Sequence, residues 1–388
     1  MTTTGEQSGA ARQGGTVRID RQAVRRTAAP VADDALVTAL AATAAAAARR
    51  TPQAARRAAA GPVSVQPTVP AATTVLADRP DGTVVRVGAV VAKAHAPGTD
   101  TAALAVRVGV AGHPALRGIL LAPLPQDQPQ QGPVPQGAGS VPAPPAPARP
   151  APARPAPARP AAVLSVAAGG RPVSAWPYGL PVDRHDPAAA PWAEAAVLLA
   201  RLHLVQPGAL PGPLPPMRGP AKAALAVARL RGVADSAAAR TVRRAWRRLP
   251  AWARDEAPHP GPAALCHGDL HLGQLVRHPA PDGPWQLIDV DDLGTGPAAW
   301  DLARPAMWFA AGLLEPDAWA RFLAAYRSAG GPAVPQDGDP WGQLDVPARA
   351  LAVQTAAIGV AKAAREGRDL DEAESELVAT CARIAHLE

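Results

Sequence analysis

The sequence contains no asparagine, only two cysteines, and few aromatic rings other than tryptophan. Its 388 residues include two Phe and two Tyr against nine Trp. Two cysteines, Cys266 and Cys381, cannot form a framework of several disulfides and are typical of a reducing compartment. Long apolar runs are also lacking, because the alanine-rich stretch 35–48 is too short and too weakly apolar to cross a bilayer. We therefore expect a cytoplasmic protein without a membrane segment.

Lysine is scarce too, with three residues against 36 arginines, and the net charge is +7. Residues 1–57 carry nine Arg against four acidic residues, and residues 125–161 carry three Arg against one Asp. These two segments, at +5 and +2, account for the whole excess. The rest of the chain is neutral, so no nucleic-acid-binding surface is expected on the core.

Changes in composition divide the chain into a tail and two lobes. Residues 1–30 are polar and Arg-rich without an apolar period, which predicts a disordered tail. Residues 31–180 are predicted to form an N-terminal lobe and residues 181–388 a helical C-terminal lobe. Within the first lobe, residues 125–161 contain three APARP repeats. Proline at this density favours extended polyproline II structure, so this segment is predicted to be an insertion that projects from the lobe.

Alternating apolar and β-branched residues predict strands in the first lobe, and a helical period predicts helices elsewhere. The predicted strands are 73–78, 83–87, 89–95, 116–124, 163–166 and 172–176. The predicted helices begin with 35–57, which Asp33 and Asp34 precede, and continue with 100–111, 186–204, 221–230, 237–252, 308–329 and 346–387.

Two short segments carry oxygen-bearing side chains in an order that suits phosphoryl transfer. HGDLHLGQ places Gln274 five residues after Asp269, and the apolar run 285–290 delivers Asp289. Transfer from a nucleoside triphosphate needs magnesium held by hard oxygen ligands and a carboxylate that orients the attacking hydroxyl. The kinase pattern H-x-D-x-x-x-x-N followed by a later Asp fits, with Gln in place of Asn.

These motifs resemble the catalytic core of the aminoglycoside phosphotransferase and choline kinase family, relatives of the protein kinases, and HGDLHLGQ is close to the form in maltokinase-like members. The resemblance implies an α+β, two-lobed kinase fold with a small antiparallel sheet and a larger helical lobe. It also implies transfer of the ATP γ-phosphate to a small-molecule hydroxyl. By the same resemblance, Asp269 is the catalytic base, Gln274 and Asp289 are Mg²⁺ ligands, and His267 and Asp301 are structural residues at the site.

Lys93 lies on the third predicted strand, where a compact ammonium suits point contact with phosphate oxygens. The family resemblance implies that it binds the ATP phosphates. Two features depart from the family pattern. The following helix, 100–111, contains no Glu to pair with Lys93, and the loop 79–82 has a single glycine.

Two other functions are compatible with the sequence. The missing Glu and the single glycine of the loop 79–82 suggest a nucleotide-binding pseudokinase with little transfer activity. The cluster of His267, Asp269 and His271 could instead hold the metal of a hydrolase. The acceptor is open between aminoglycosides and sugar-like molecules, and five acidic residues between 369 and 376 would suit a cationic acceptor or form a solvated helix face. We expect a monomer.

Overall fold

The structure of the protein is a computed structural model that describes residues 34–50, 72–126, 164–166 and 168–387. All structural statements below concern these residues. The predicted tail 1–30 and nearly all of the predicted insertion 125–161 lie outside them.

The described residues form nine α-helices and ten short strands. The helices are α1 Asp34–Arg49, α2 Thr101–Ala111, α3 Trp192–Leu204, α4 Gly219–Arg229, α5 Ala237–Arg248, α6 Ala299–Ala310, α7 Pro316–Ser328, α8 Trp341–Glu366 and α9 Glu372–Ala385. The strands are β1 Thr73–Arg79, β2 Gly82–Val87, β3 Val90–His95, β4 Ser165–Val166, β5 Pro172–Pro177, β6 Leu180–Pro181, β7 Ala264–Cys266, β8 Leu275–Arg277, β9 Trp285–Leu287 and β10 Gly294–Gly296. None of these helices combines the length and apolar character needed to cross a membrane.

An antiparallel five-stranded sheet forms the small lobe, with strand order β1-β2-β3-β5-β4. The three predicted strands at 73–95 are confirmed, because alternating residues and two tight turns define a meander. Helix α1 covers one face of the sheet. Its buried residues Leu36, Leu40 and Ala44 pack in the same cluster as Val85 and Ala92. This small core is separate from the larger core of the helical lobe.

The predicted strand at 116–124 is wrong. Residues Pro114–Leu116 form a 3₁₀ turn, and Gly118 adopts a positive φ of 73°. The segment that follows contacts two different partners and forms only an isolated bridge with one of them: Leu121 N donates to Leu287 O, Leu287 N donates to Ile119 O, and Leu124 N donates to Ala175 O. Prolines within this segment remove ladder donors, so an apolar run that looks like a strand connects the β8–β9 hairpin to the small sheet instead.

The helical lobe is built around α3 and an aromatic cluster. Trp192 at the start of α3 meets Phe322 of α7 edge to face, with ring centroids 6.1 Å apart.

The predicted helix 308–329 is wrong, because the chain makes two helices here. Helix α6 ends at Ala310, Gly312 takes a φ of 72°, and Pro316 starts α7 at the position where proline is favoured.

The predicted helix 346–387 is wrong for a similar reason. Gly367 ends α8 with a φ of 61°, and Asp371 starts α9 with a capping box to Glu374. Prolines also shorten two predicted helices, since α3 begins only after Pro191 and α5 ends before Pro250. The fold class is the predicted α+β, two-lobed kinase-like fold.

We expect Gly219→Ala to lower the free energy of unfolding by about 1–3 kcal/mol, because a methyl group there would overlap the indole ring of Trp300. Gly342→Ala is the matched control, since a Cβ at this helical glycine meets nothing within 4 Å. The control should be neutral or stabilising by up to about 1 kcal/mol. Urea denaturation measures both, and equal midpoints for the two variants would contradict this account of the α4–α6 contact.

Candidate active site

The two predicted motifs come together because the strands next to them pair. β7 ends at Cys266, just before the HGD segment, and lies antiparallel to β10, which begins at Gly294, just after the DVDD segment. Gly268 has a φ of 86°, and a Cβ on it would collide with the carbonyl of Asp292. Glycine is therefore required where the two segments approach each other.

The carboxylate of Asp301, on α6, holds the HGD segment in place. Its Oδ2 accepts a hydrogen bond from the backbone N–H of His267 at 2.6 Å, and its Oδ1 accepts one from Gly268 N–H at 2.7 Å. His203 of α3 lies 3.0 Å from Oδ2 through Nε2, while its Nδ1 lies 2.7 Å from the hydroxyl of Tyr326. Asp301 is 1% exposed, so this buried charge is compensated entirely by hydrogen bonds from the protein.

The segment that delivers Asp289 is tied to the same loop. His267 Nε2 donates to the carbonyl of Ile288 at 2.8 Å, and Ile288 N donates to the carbonyl of Gln274 at 2.9 Å. Asp289 follows directly, with a left-handed φ of 65°. The backbone thus places Gln274 opposite the residue that precedes Asp289. A carboxylate and an amide oxygen are ligands that Mg²⁺ accepts, so these two side chains fit the predicted metal site.

Lys93 reaches this segment from β3. Its Nζ lies 2.6 Å from Asp289 Oδ1 and 3.0 Å from Asp291 Oδ2, and His95 Nδ1 lies 2.9 Å from the other oxygen of Asp291. Burial alone would lower the pKa of Lys93, but the Asp289 and Asp291 carboxylates outweigh it, and the pKa lies above its usual value. Lys93 is therefore a cation held by two carboxylates.

Helix α2 contributes a cation to this region and no acid. The buried Arg107 donates from Nε to the carbonyl of Leu293 at 2.7 Å and from Nη2 to the carbonyl of Pro216 at 3.2 Å. The carboxylate partner of Lys93 that is missing from this helix is supplied by Asp291.

Asp269 lies between two cations. Lys222 Nζ of α4 lies 2.7 Å from Oδ2, and the guanidinium of Arg304 on α6 lies 2.5 Å from Oδ1. Burial would raise the pKa of Asp269, but Lys222 and then Arg304 outweigh it and hold the pKa well below its usual range. Lys222 also lies 2.7 Å from Asp292 Oδ2, so one ammonium joins the HGD and DVDD segments.

Sequence reasoning missed Lys222, Arg304, Asp291 and Asp292. The structure brings the six predicted site residues into one network, but Asp269 is connected to the Asp289 side only through Lys222 and Asp292. Lysine scarcity is a signal that could have identified Lys222, because two of the three lysines in the chain lie at this site.

The hydrolase cluster predicted as an alternative is not formed. His267 donates to a backbone carbonyl, and His271 Nδ1 accepts from Gly273 N at 3.0 Å. Burial, and then the charge of Arg304, lower the pKa of His271 to about 4. Among the described residues, the ligand atoms of His203, Cys266 and Asp301 do lie within 4.8 Å of one another.

That buried group is a hydrogen-bonded one rather than a metal centre. Both oxygens of Asp301 already accept from backbone amides. Cys266 Sγ lies 3.3 Å from the carbonyl of Gly296, and burial, and then the charge of Asp301, raise the pKa of this thiol well above its usual value.

A cavity of about 290 Å³ opens beside the connection that follows α2. It is lined mainly by residues 111–122, with His278 and Gln286 from the β8–β9 hairpin. Neither Lys93 nor Asp269 lines it, so it is not the site of the chemistry.

The fold and the paired motifs define a kinase-like phosphotransferase. A model of the phosphotransferase enzyme family matches residues 148–344, just over half of the chain. The chain therefore belongs to this family, and the predicted resemblance is confirmed. No curated protein sequence matches it significantly.

One solved structure with a TM-score of 0.50 shares the fold at low identity, and two others are similar with lower scores. The thermostable mutant of aminoglycoside phosphotransferase APH(4)-Ia, in its apo form, is 12% identical with a TM-score of 0.50, covering 81% of this chain and 94% of its own. A choline/ethanolamine kinase family protein from Mesorhizobium loti is 16% identical with a TM-score of 0.47, covering 88% and 94%. The apoenzyme of macrolide 2′-phosphotransferase MphH from Brachybacterium faecium is 16% identical with a TM-score of 0.43, covering 87% and 99%. At such identities the likeness concerns the fold alone.

We expect Asp301→Asn to lower the free energy of unfolding by about 1–3 kcal/mol, because an amide group would face a donor where the carboxylate now accepts. Hydrogen exchange of the peptide that contains Gly268 should also become faster. Asp345→Asn is the control, since its pair with Arg349 is half-exposed on α8 and contributes at most about 1 kcal/mol. Unchanged unfolding and exchange in Asp301→Asn would show that this carboxylate does not hold the loop.

Proposed function

We propose that the protein transfers the γ-phosphoryl group of ATP to a hydroxyl of a small-molecule acceptor in the presence of Mg²⁺. The observation that carries this proposal is the arrangement of charges: Lys93 pairs with Asp289 of the DVDD segment, and Lys222 joins Asp269 to Asp292 of the same segment. A phosphate-binding cation, metal ligands and a candidate base thus line a single site, which is what phosphoryl transfer between two substrates needs.

Asp269 is the proposed base. Its carboxylate orients the acceptor hydroxyl, whose oxygen forms the new bond to the γ-phosphorus. The bond from phosphorus to the bridging oxygen breaks, its electron pair stays on the departing ADP, and the hydroxyl proton passes to Asp269. The low pKa of Asp269 keeps it ionised, and a loose transition state needs little basicity because the proton moves late.

Asp289 and Gln274 are the proposed Mg²⁺ ligands, and a bound Mg²⁺ would neutralise charge on the phosphate oxygens. Lys93 is the proposed phosphate-binding cation, since three donors on a compact ammonium can contact an oxygen while carboxylates hold the nitrogen in place. The predicted pseudokinase rests on the missing helix Glu and on the single glycine of the loop 79–82. Asp291 supplies a carboxylate to Lys93, which supports a turnover-competent site instead.

The proposed acceptor is an aminoglycoside or a sugar-like molecule, and the acidic segment after Gly367 favours the sugar-like one. Asp371 caps α9, Glu374 pairs with Arg368 at 2.6 Å, and Glu376 pairs with Arg383 at 2.8 Å. Internal use of these carboxylates reduces the negative charge offered to a polycationic drug.

A panel of acceptors with γ-labelled ATP tests the proposal. Aminoglycosides, neutral sugars and simple alcohols are each incubated with the enzyme and MgATP, and a reaction without acceptor measures ATP hydrolysis alone. Label that appears in an acceptor supports phosphotransfer. Nucleotide binding without transfer to any acceptor would favour the pseudokinase.

We expect Asp269→Asn to lower turnover by about 10²–10⁴-fold, because the amide keeps the shape but cannot take the proton. Affinity for MgATP should change little, since Lys93, Gln274 and Asp289 remain. Asp235→Asn is the matched control, because this Asp is exposed and pairs only with the arginines of α5. Near-normal turnover of Asp269→Asn would contradict its assignment as the base.

Asp289→Asn should weaken nucleotide binding as well as turnover, because a metal ligand and a partner of Lys93 lose their charge together. Calorimetry with ATP, with and without Mg²⁺, measures the effect. Wild-type protein should bind ATP more tightly with Mg²⁺, and Asp289→Asn should lose most of this difference. A variant that keeps the full Mg²⁺ dependence would contradict the metal site.

A further inference from the structure

Lys222 is a cation at the proposed base that no sequence motif accounts for. It lies on α4, and its Nζ bridges Asp269 Oδ2 and Asp292 Oδ2 at 2.7 Å each. The side chain is 31% exposed, so Lys222 is only partly buried. An ammonium has three N–H donors, and among the described residues only these two carboxylates accept from it. One donor therefore remains available for a substrate.

Two cations beside Asp269 weaken it as a base, so helping it to accept a proton does not explain why both are present. Lys222 and Arg304 both lower the pKa of Asp269, and a weaker base takes a proton less readily. Arg304 already pairs with Oδ1, so Asp269 is oriented without Lys222. The second cation, Lys222, has a function if it stabilises negative charge on the phosphoryl oxygens. Preorganised donors contribute most where charge develops in the transition state.

The distances place Lys222 beside the reacting atoms. A hydroxyl that hydrogen-bonds to Asp269 Oδ2 at about 2.7 Å lies within about 5.5 Å of Nζ. The phosphoryl group that this hydroxyl attacks is then within reach of a flexible four-carbon side chain. When the hydroxyl proton passes to Asp269, Lys222 loses one counter-charge, and the phosphoryl oxygens replace it. Asp292 keeps hold of the ammonium throughout.

We propose that Lys222 is a catalytic residue that contacts the phosphoryl group during its transfer to the acceptor oxygen, with Asp292 as the residue that positions it. This inference rests on the proposed function. A simpler role for Lys222 would be to tether α4 to the HGD segment, and the experiment must separate the two roles.

The test compares Lys222→Met with Lys362→Met, the exposed lysine of α8 and the third lysine of the chain. We expect turnover of Lys222→Met to fall by about 10²–10³-fold, with the KM for MgATP little changed. Lys362→Met should behave as wild type. Lys222→Arg keeps the charge and should retain at least about tenfold more turnover than Lys222→Met. It also serves as the folded variant if Lys222→Met is unstable.

A binding measurement separates a catalytic role of Lys222 from a role as a tether between α4 and the HGD segment. MgADP with aluminium fluoride mimics the phosphoryl group in transfer, whereas MgADP alone does not. Wild-type protein should bind MgADP more tightly when aluminium fluoride is present. Lys222→Met should lose this gain and keep its affinity for MgADP, and the result would support the inference even before an acceptor is known.

Each other outcome has a definite meaning. Equal loss of affinity for MgADP with and without aluminium fluoride would show that Lys222 is only a tether. Normal turnover of Lys222→Met would overturn the inference and leave the proposed function intact. A wild-type protein that transfers no label and gains nothing from aluminium fluoride would overturn both.

Discussion

The buried carboxylate of Asp301 is the constraint on which the rest of the site depends. An ionised carboxylate out of contact with water must be fully hydrogen-bonded, and here two consecutive backbone amides and His203 satisfy it. Because both amides turn toward the same carboxylate, the chain at Gly268 must take a positive φ and press against the carbonyl of Asp292. Asp301 thereby sets both the direction of Asp269 and the approach of the DVDD segment.

Two adjacent carboxylates then hold one cation from each lobe. Asp291 pairs with Lys93 from the small sheet, whereas Asp292 pairs with Lys222 from α4. Asp291 and Asp292 lie in a turn that is closed by a hydrogen bond from Leu293 N to the carbonyl of Val290 at 3.1 Å, and this one short stretch holds both cations. Arg107 adds a third connection, because its guanidinium ties α2 to the carbonyls of Leu293 and Pro216. The absence of a helix Glu is compensated by contacts from the catalytic segment itself.

The fold could be predicted where local chemistry decides the structure. The three strands of the meander were found because alternation and tight turns act within a few residues. The segment 116–124, which was wrongly predicted as a strand, has the same apolar pattern. Only its tertiary contacts show that it forms no ladder, because its two partners lie in different sheets. The predictions of single helices at 308–329 and 346–387 are wrong at Gly312 and Gly367. The apolar period continues across each glycine, but the left-handed φ of that glycine ends the helix.

The candidate site could be predicted where its residues belong to motifs or, like Lys93, lie on a strand that the family resemblance identifies. Asp269, Gln274 and Asp289 belong to motifs with fixed spacing, but Lys222 lies 47 residues before Asp269, and no local pattern connects them. Residue usage is the remaining signal. In a chain with 36 arginines, two of three lysines bridge paired carboxylates at the site, where a compact ammonium donates to two oxygens at once. Lys362 is exposed on α8, so scarcity alone is insufficient. Scarcity becomes informative when it coincides with acidic residues that need a point charge, and these acidic residues are the ones that the motifs identify.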